Sequence, residues 1–289
     1  MPKLISLLRT ALDGFLENEA LTRGAAIAFY AVTSMAPLLL IVIAIAGLVF
    51  GQEAAQTAML AQLADIAGDQ SSEFFQAVIR NAGNRPAGVT AAVTGAATLI
   101  LTATGVFGEI QSALNTIWKV ETKTTALSRF VRARAASAGL VAVLGFLLIV
   151  SLTVSAALTA LGAQLDTYLS WGKTLIYGLN TSMSFILITL LFAAIYKVLP
   201  DRTLTWRDVV VGAAVTSGLF SVGKIAIGWY LGSAGIASTY GAAGAFVLLA
   251  LWVYYSVMIF LLGAEITKAF AISYGSKRGA PIMPKTVHI

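Results

Sequence analysis

The chain has 289 residues, of which 58% are hydrophobic and only 11% charged. A water-soluble domain carries about 25% charged residues, so most of this surface must face lipid rather than water. Cysteine is absent and the one histidine is His288, which excludes a disulfide framework, a thiol nucleophile, a Cys-based zinc site and a His-based triad.

Residues 1–22 open the chain with Leu4, Leu8, Ala11 and Phe15 at helical spacing and Lys3, Arg9, Asp13, Glu17 and Glu19 among them. A cleaved secretory signal needs a compact apolar run. The scattered charges predict instead an amphipathic helix lying on the inner membrane surface.

Six segments are long enough to cross about 30 Å of hydrocarbon at about 1.5 Å per residue. They run approximately Ala25–Phe50, Ala87–Phe107, Gly139–Leu161, Leu175–Val198, Val209–Leu231 and Gly241–Ala264, with 265–289 as a tail. The fold class expected is all-α: one membrane domain over 1–289, a six-span helical bundle with amphipathic interfacial helices.

The first span contains Thr33-Ser34-Met35-Ala36-Pro37. Pro37 has no N–H for the Thr33 carbonyl and crowds it, so a kink is expected there, with Ser34 beside it. A kinked span either lines a transport path or is a packing feature. The connection 51–86 predicts two short helices over the outer mouth, with Ala55, Met59, Leu63 and Ile66 on one face and Phe74, Phe75, Val78 and Ile79 on the next. In the second span Thr90, Thr94, Thr98 and Thr102 recur every fourth residue. That hydroxyl stripe either joins neighbouring helices or lines a polar path.

The connection 111–137 interleaves Ile117, Trp118, Leu127, Phe130 and Val131 with Lys119, Lys123, Arg129, Arg132 and Arg134. It reads as a segment anchored at the headgroup boundary, where cations meet anionic lipid. Lys224 lies inside the fifth span. A cation there faces a bundle interior or wet cavity and binds an anionic group, or it snorkels outward for structure. By depth, Glu109 and Glu265 suit Arg23 better than Lys224, which predicts an inner ionic latch of Arg23, Glu109 and Glu265. Gly228 and Gly232 make a GxxxG, and a short uncharged turn to Gly241 and Gly244 makes spans five and six antiparallel neighbours.

Basic residues set the direction. Lys3, Arg9 and Arg23, the five of the 111–137 connection, Lys197, Arg202 and Arg207, and Lys268, Lys277, Arg278 and Lys285 fall on one side; Arg80, Arg85 and Lys173 fall on the other. Lys- and Arg-rich short loops stay in the cytoplasm, so both termini are expected inside. The same placement accounts for the net charge of +6 without nucleic acid, for which no binding motif is present. Walker and HExxH sequences are also missing, and the carboxylates scatter over both sides, so no cofactor or metal is expected and catalysis is not.

Four stretches carry a family resemblance: Arg23–Leu40, Phe107–Val120, Tyr196–Ala213 and Tyr240–Glu265 (YGAAGAFVLLALWVYYSVMIFLLGAE). Together they resemble the YihY / virulence factor BrkB family, and the motif positions include Pro37, Asn115, Pro200, Tyr240, Gly241, Gly263 and Glu265. The resemblance implies a bacterial inner-membrane protein of about six spans. It carries a ribonuclease BN-like label that these residues do not support chemically, and it settles no molecular activity. The function expected is a transporter or flippase of a lipid or small anionic solute linked to the cell envelope. The alternative is a non-transporting scaffold or envelope-assembly partner. Membrane lipids are the expected partners, and self-association as a homo-oligomer is left open.

Overall fold

The computed structural model describes residues 2–67, 76, 105–120, 172–233 and 236–276. Among the described residues the chain is helical throughout, with no strand. Helix α1 spans Pro2–Glu17, α2 Ala20–Phe50 and α3 Gln52–Ala67; α4 covers 105–117, and α5 Gly172–Val198, α6 Trp206–Ser233 and α7 Ile236–Ser273 follow. Among the described residues three stretches are long and apolar enough to cross a membrane: Thr181–Val198 in α5, Trp206–Ile227 in α6 and Phe246–Ser273 in α7. The expected span at 139–161 and most of that at 87–107 lie outside the described residues.

Local chemistry sets where the helices stop. Between α1 and α2 the chain turns at Asn18-Glu19, and Glu19 takes a left-handed conformation with φ 53°. Side chains other than glycine adopt that region at a cost, so the neighbours of this elbow must hold it. Between α2 and α3 the turn is made by Gly51 at φ 85°, where a missing Cβ removes the cost. Helix α3, the first of the two short helices expected in the 51–86 connection, packs along α2. Its Met59 and Leu60 join a cluster built on Ala28, Val32, Leu249 and Val253.

Two small-residue steps bring α6 and α7 together as antiparallel neighbours. Thr216 donates to the carbonyl of Gly212 at 2.8 Å on α6, and Thr267 donates to that of Gly263 at 2.7 Å on α7. The two pairs interlock: a Cβ on Gly212 would overlap Thr267 Oγ1, and one on Gly263 would overlap Thr216 Oγ1. Each threonine satisfies its hydroxyl within its own helix, and the same oxygen fills the gap left by the opposite glycine. Tyr196 of α5 caps the crossing. Its hydroxyl donates to the Phe260 carbonyl at 2.7 Å and lies 3.1 Å from Thr216 Oγ1, and its ring stacks on Phe192 and Phe260.

One core cluster grows from this crossing. Ala20 and Ile27 of α2, Ala113, Leu114 and Ile117 of α4, and Val209, Ala213, Leu261 and Ala264 of α6 and α7 are buried in it. Trp118 also belongs to it at 3% exposure, with Ile117 at 2%. Both were expected at the headgroup boundary. They pack inward because the connection after α5 docks on the end of α4: Asp201 N–H donates to Asn115 Oδ1 at 2.8 Å, Asn115 Nδ2 returns a bond to Asp201 at 2.9 Å, and Arg202 donates to the Trp118 carbonyl at 2.7 Å.

Substituting Gly263→Ala should therefore cost about 1–3 kcal/mol, the range for overpacking a filled interior. Unfolding of the purified protein by a denaturing detergent in mixed micelles reads this directly. Adding Thr216→Ala to that variant should recover part of the loss. A Gly263→Ala protein as stable as the parent would mean that the interlock is not tight.

Candidate functional site

The polar groups gather where α1, α2, α4, α5, α6 and α7 all begin or end. Arg23, in the second turn of α2, is the hub. Its Nη1 lies 3.5 Å from Glu109 Oε1 and donates to Ser112 Oγ at 3.3 Å, both on α4. Its Nε donates to the Asn18 carbonyl at 3.3 Å, so it also braces the strained elbow. Asn18 in turn donates from Nδ2 to Glu265 Oε1, and Lys268 Nζ lies 3.5 Å from Glu265 Oε2. The result is a chain of contacts, Glu109–Arg23–Asn18–Glu265–Lys268, running from α4 through the elbow to α7.

Arg23, Glu109 and Glu265 thus lie in one network, with Glu265 reached from Arg23 through Asn18 rather than by a direct pair. The links differ in kind. Arg23 and Glu109 keep 25% and 29% of their side chains exposed, which places the pair among weak, partly solvated ones. Glu265 is 1% exposed and Asn18 3%. A Cβ on Gly14 of α1 would come within 2.6 Å of Glu265 Oε2, so α1 closes directly over the carboxylate. Among the described residues Asn18 Oδ1 is buried without a hydrogen-bond partner.

A second carboxylate holds the same end of the bundle. Asp208, in the first turn of α6, accepts from Thr205 Oγ1 at 2.8 Å and from the backbone N–H and hydroxyl of Ser276. Thr205 and Asp208 satisfy the start of α6 in the manner of a helix cap, while Ser276 ties down the chain beyond α7. Lys197, at the end of α5, donates to the Leu204 carbonyl and sits 5.5 Å from the centre of the Trp206 ring.

The expected path residues are placed apart from this network. Lys224 lies half-buried on α6 beside Gly223, which packs against Tyr255 and Ile259 of α7. Counting from Gly212 at the crossing to Gly223 gives about 16 Å along the helix, so Lys224 sits well away from Glu265. Ser34 is 7% exposed and donates to the Ala31 carbonyl at 2.8 Å, and Thr33 donates to the carbonyls of Phe29 and Tyr30. Helix α2 continues through Pro37 to Phe50. Thr94, Thr98 and Thr102 lie outside the described residues, as do Phe74, Phe75, Val78 and Ile79 of the second short helix expected in the 51–86 connection. Among the described residues no group of three or more His, Cys, Asp or Glu side chains could hold a metal ion.

Sequence reasoning missed Asn18, Gly14 and Lys268 as members of the network. Asn18 had a legible signal: asparagine directly after an amphipathic run is a common way to end a helix. Gly14 and Lys268 had none, because their roles depend on how α1 docks on α7.

The sequence profile described as "Virulence factor BrkB" matches residues 11–285. Among curated proteins, a UPF0761 membrane protein of Ralstonia nicotianae is 26% identical over 97% of this chain and 63% of its own length. One of Halorhodospira halophila is 32% identical over 73% of the chain and 44% of its own length. The UPF0761 membrane protein YihY of Escherichia coli O1:K1 / APEC is 31% identical over 69% and 64%. The chain therefore spans less than two thirds of the length of these relatives. No solved structure matches it.

The network makes a graded prediction. Lys268→Met leaves the Glu265 carboxylate buried beside an uncharged neighbour and should cost about 3–5 kcal/mol. The double variant Lys268→Met with Glu265→Gln should recover most of that loss. Glu109→Gln, which removes only the solvated link, should cost less than about 1 kcal/mol. Equilibrium unfolding in micelles separates the two classes, and equal losses at both links would contradict the burial of Glu265.

Proposed function

The chain belongs to the virulence factor BrkB family, and on that premise we propose that it moves a lipid or a small anionic solute across the bacterial inner membrane. In this reading it is a multi-pass bundle of six spans with both termini in the cytoplasm. The polar network then lies at the cytoplasmic end, where the Lys- and Arg-rich connections are.

The observation that carries the reading is Lys224, a half-buried cation within the apolar stretch Trp206–Ile227. A charge inside a span is expensive, and its common use is to meet a substrate or coupling ion in the bundle. Lys224 supplies the attraction for a phosphate or other anionic group. The network around Arg23 and Glu265 closes the inner end, where a substrate would leave or enter. Pro37, Ser34 and the hydroxyls at Thr94, Thr98 and Thr102 are the further path residues on this reading, and no part of it calls on catalysis or a cofactor.

A second reading is a non-transporting scaffold of the cell envelope. It draws support from the same end of the bundle, because the contacts among Arg23, Glu109, Glu265 and Lys268 suit a fixed structure as well as a gate.

A thermal-stability screen of the purified protein against anionic lipids and small anions distinguishes the two. A ligand at 100 times its dissociation constant should stabilise the protein by about 2.7 kcal/mol, and Lys224→Ala should abolish that shift while leaving the unliganded protein folded. No shift across the panel would favour the scaffold.

A further inference from the structure

Helix α1 carries more apolar surface than the bundle uses. Leu7 and Ala11 are buried against Ile266 and Ala269 of α7, and Gly14 and Asn18 continue that face onto Glu265. Beside it runs a second apolar stripe, Ile5, Leu8, Leu12 and Leu16, at 66%, 45%, 53% and 66% exposure. These residues are three or four apart and so share one face of the helix. Arg9, Asp13 and Glu17, each four apart, form the third face, which is also exposed. A helix with one side on the protein needs only one apolar stripe; this one has two and a polar side.

We propose that the outer stripe of α1 lies in the acyl-chain boundary of one membrane leaflet, with Arg9, Asp13 and Glu17 turned to water. Lipid is the occupant because the described residues include three stretches long and apolar enough to cross a membrane, and a helix with an apolar stripe beside a charged face fits the boundary of that membrane. Leu21 and Phe29 of α2, at 51% and 65% exposure, are further apolar side chains left uncovered beyond the elbow, and α2 covers the first expected span. The charge pattern sets the kind of attraction. Between residues 5 and 17 the charged side chains are one arginine and two acids, so affinity for anionic headgroups does not hold this stretch of helix. Apolar insertion does, which makes its seat insensitive to headgroup charge and to salt.

The chain contains no cysteine, so it accepts single labels without a prior background change. Variants Leu12→Cys and Asp13→Cys, each carrying an environment-sensitive fluorophore, are reconstituted into phosphatidylcholine vesicles and probed with brominated lipids and aqueous iodide. The Leu12 label should emit to the blue and be quenched by lipid brominated high on the acyl chain, at a depth of about 5–10 Å. The Asp13 label should remain water-like and be quenched by iodide. Neither result should change when phosphatidylglycerol or salt is added. Iodide quenching of both labels alike would overturn the proposal. So would a blue-shifted Leu12 label that brominated lipid does not reach, since protein would then cover the stripe; a disulfide between two unlabelled Leu12→Cys chains would identify that cover as a second copy. Retained helicity and melting temperature of each labelled protein keep a misfolded variant from counting as either result.

Discussion

The close approach of α6 and α7 is the constraint on which the other contacts depend. In lipid there is no hydrophobic drive to press two apolar helices together, so contact must come from shape and from polar groups that satisfy one another. Gly212 and Gly263 supply the missing volume, and Thr216 and Thr267 fill it from the opposite helix. The antiparallel match fixes both the depth and the rotation of the pair. With these set, Tyr196 of α5 has one place to put its hydroxyl, against the Phe260 carbonyl. The aromatic packing of Phe192, Phe220, Trp252 and Phe260 then follows around it.

The same crossing decides where the charges meet. Thr267 is tied to the depth of Gly212, so Glu265 and Lys268 of α7 come level with the first turns of α6, and with them the elbow of α1 and α2. Glu19 is held in a left-handed conformation there by a carbonyl contact from Arg23 to the preceding residue. Arg23 is in turn oriented by Glu109 and Ser112 of α4. A local backbone cost is thus met by a contact between distant parts of the sequence, which is the usual way such strain persists.

Much of this was readable before any coordinates. Apolar runs with few charges marked the helices that became α2, α5, α6 and α7, and a comparison of depths put Arg23, Glu109 and Glu265 near one another. What could not be read was pairing. Glu265 has Asn18 and Lys268 as its partners because α1 folds back onto α7, and nothing local to either segment states that. Trp118 was misplaced for a related reason: an aromatic among cations looks like an interfacial anchor, yet its neighbour Asn115 binds the Asp201 turn and draws the end of α4 inward. The glycines that matter for packing, Gly212 and Gly263, stand four residues before threonines and form no GxxxG. A search for paired glycines therefore finds Gly228 and Gly232 and passes over the crossing itself.

Stability alone is a poor account of the Glu265 seat. Two charges withdrawn from water regain in attraction about what they lose in hydration, so a well-packed apolar pair would serve the bundle at least as well. The seat adds further costs: a buried amide oxygen on Asn18 with no partner among the described residues, and a glycine at position 14 in a helix, where alanine would favour the fold by roughly 1 kcal/mol. Gly14 is needed because the carboxylate occupies the space a Cβ would fill. Sequence and fold are both bent to keep a carboxylate at the one place where α1, the elbow and α7 touch.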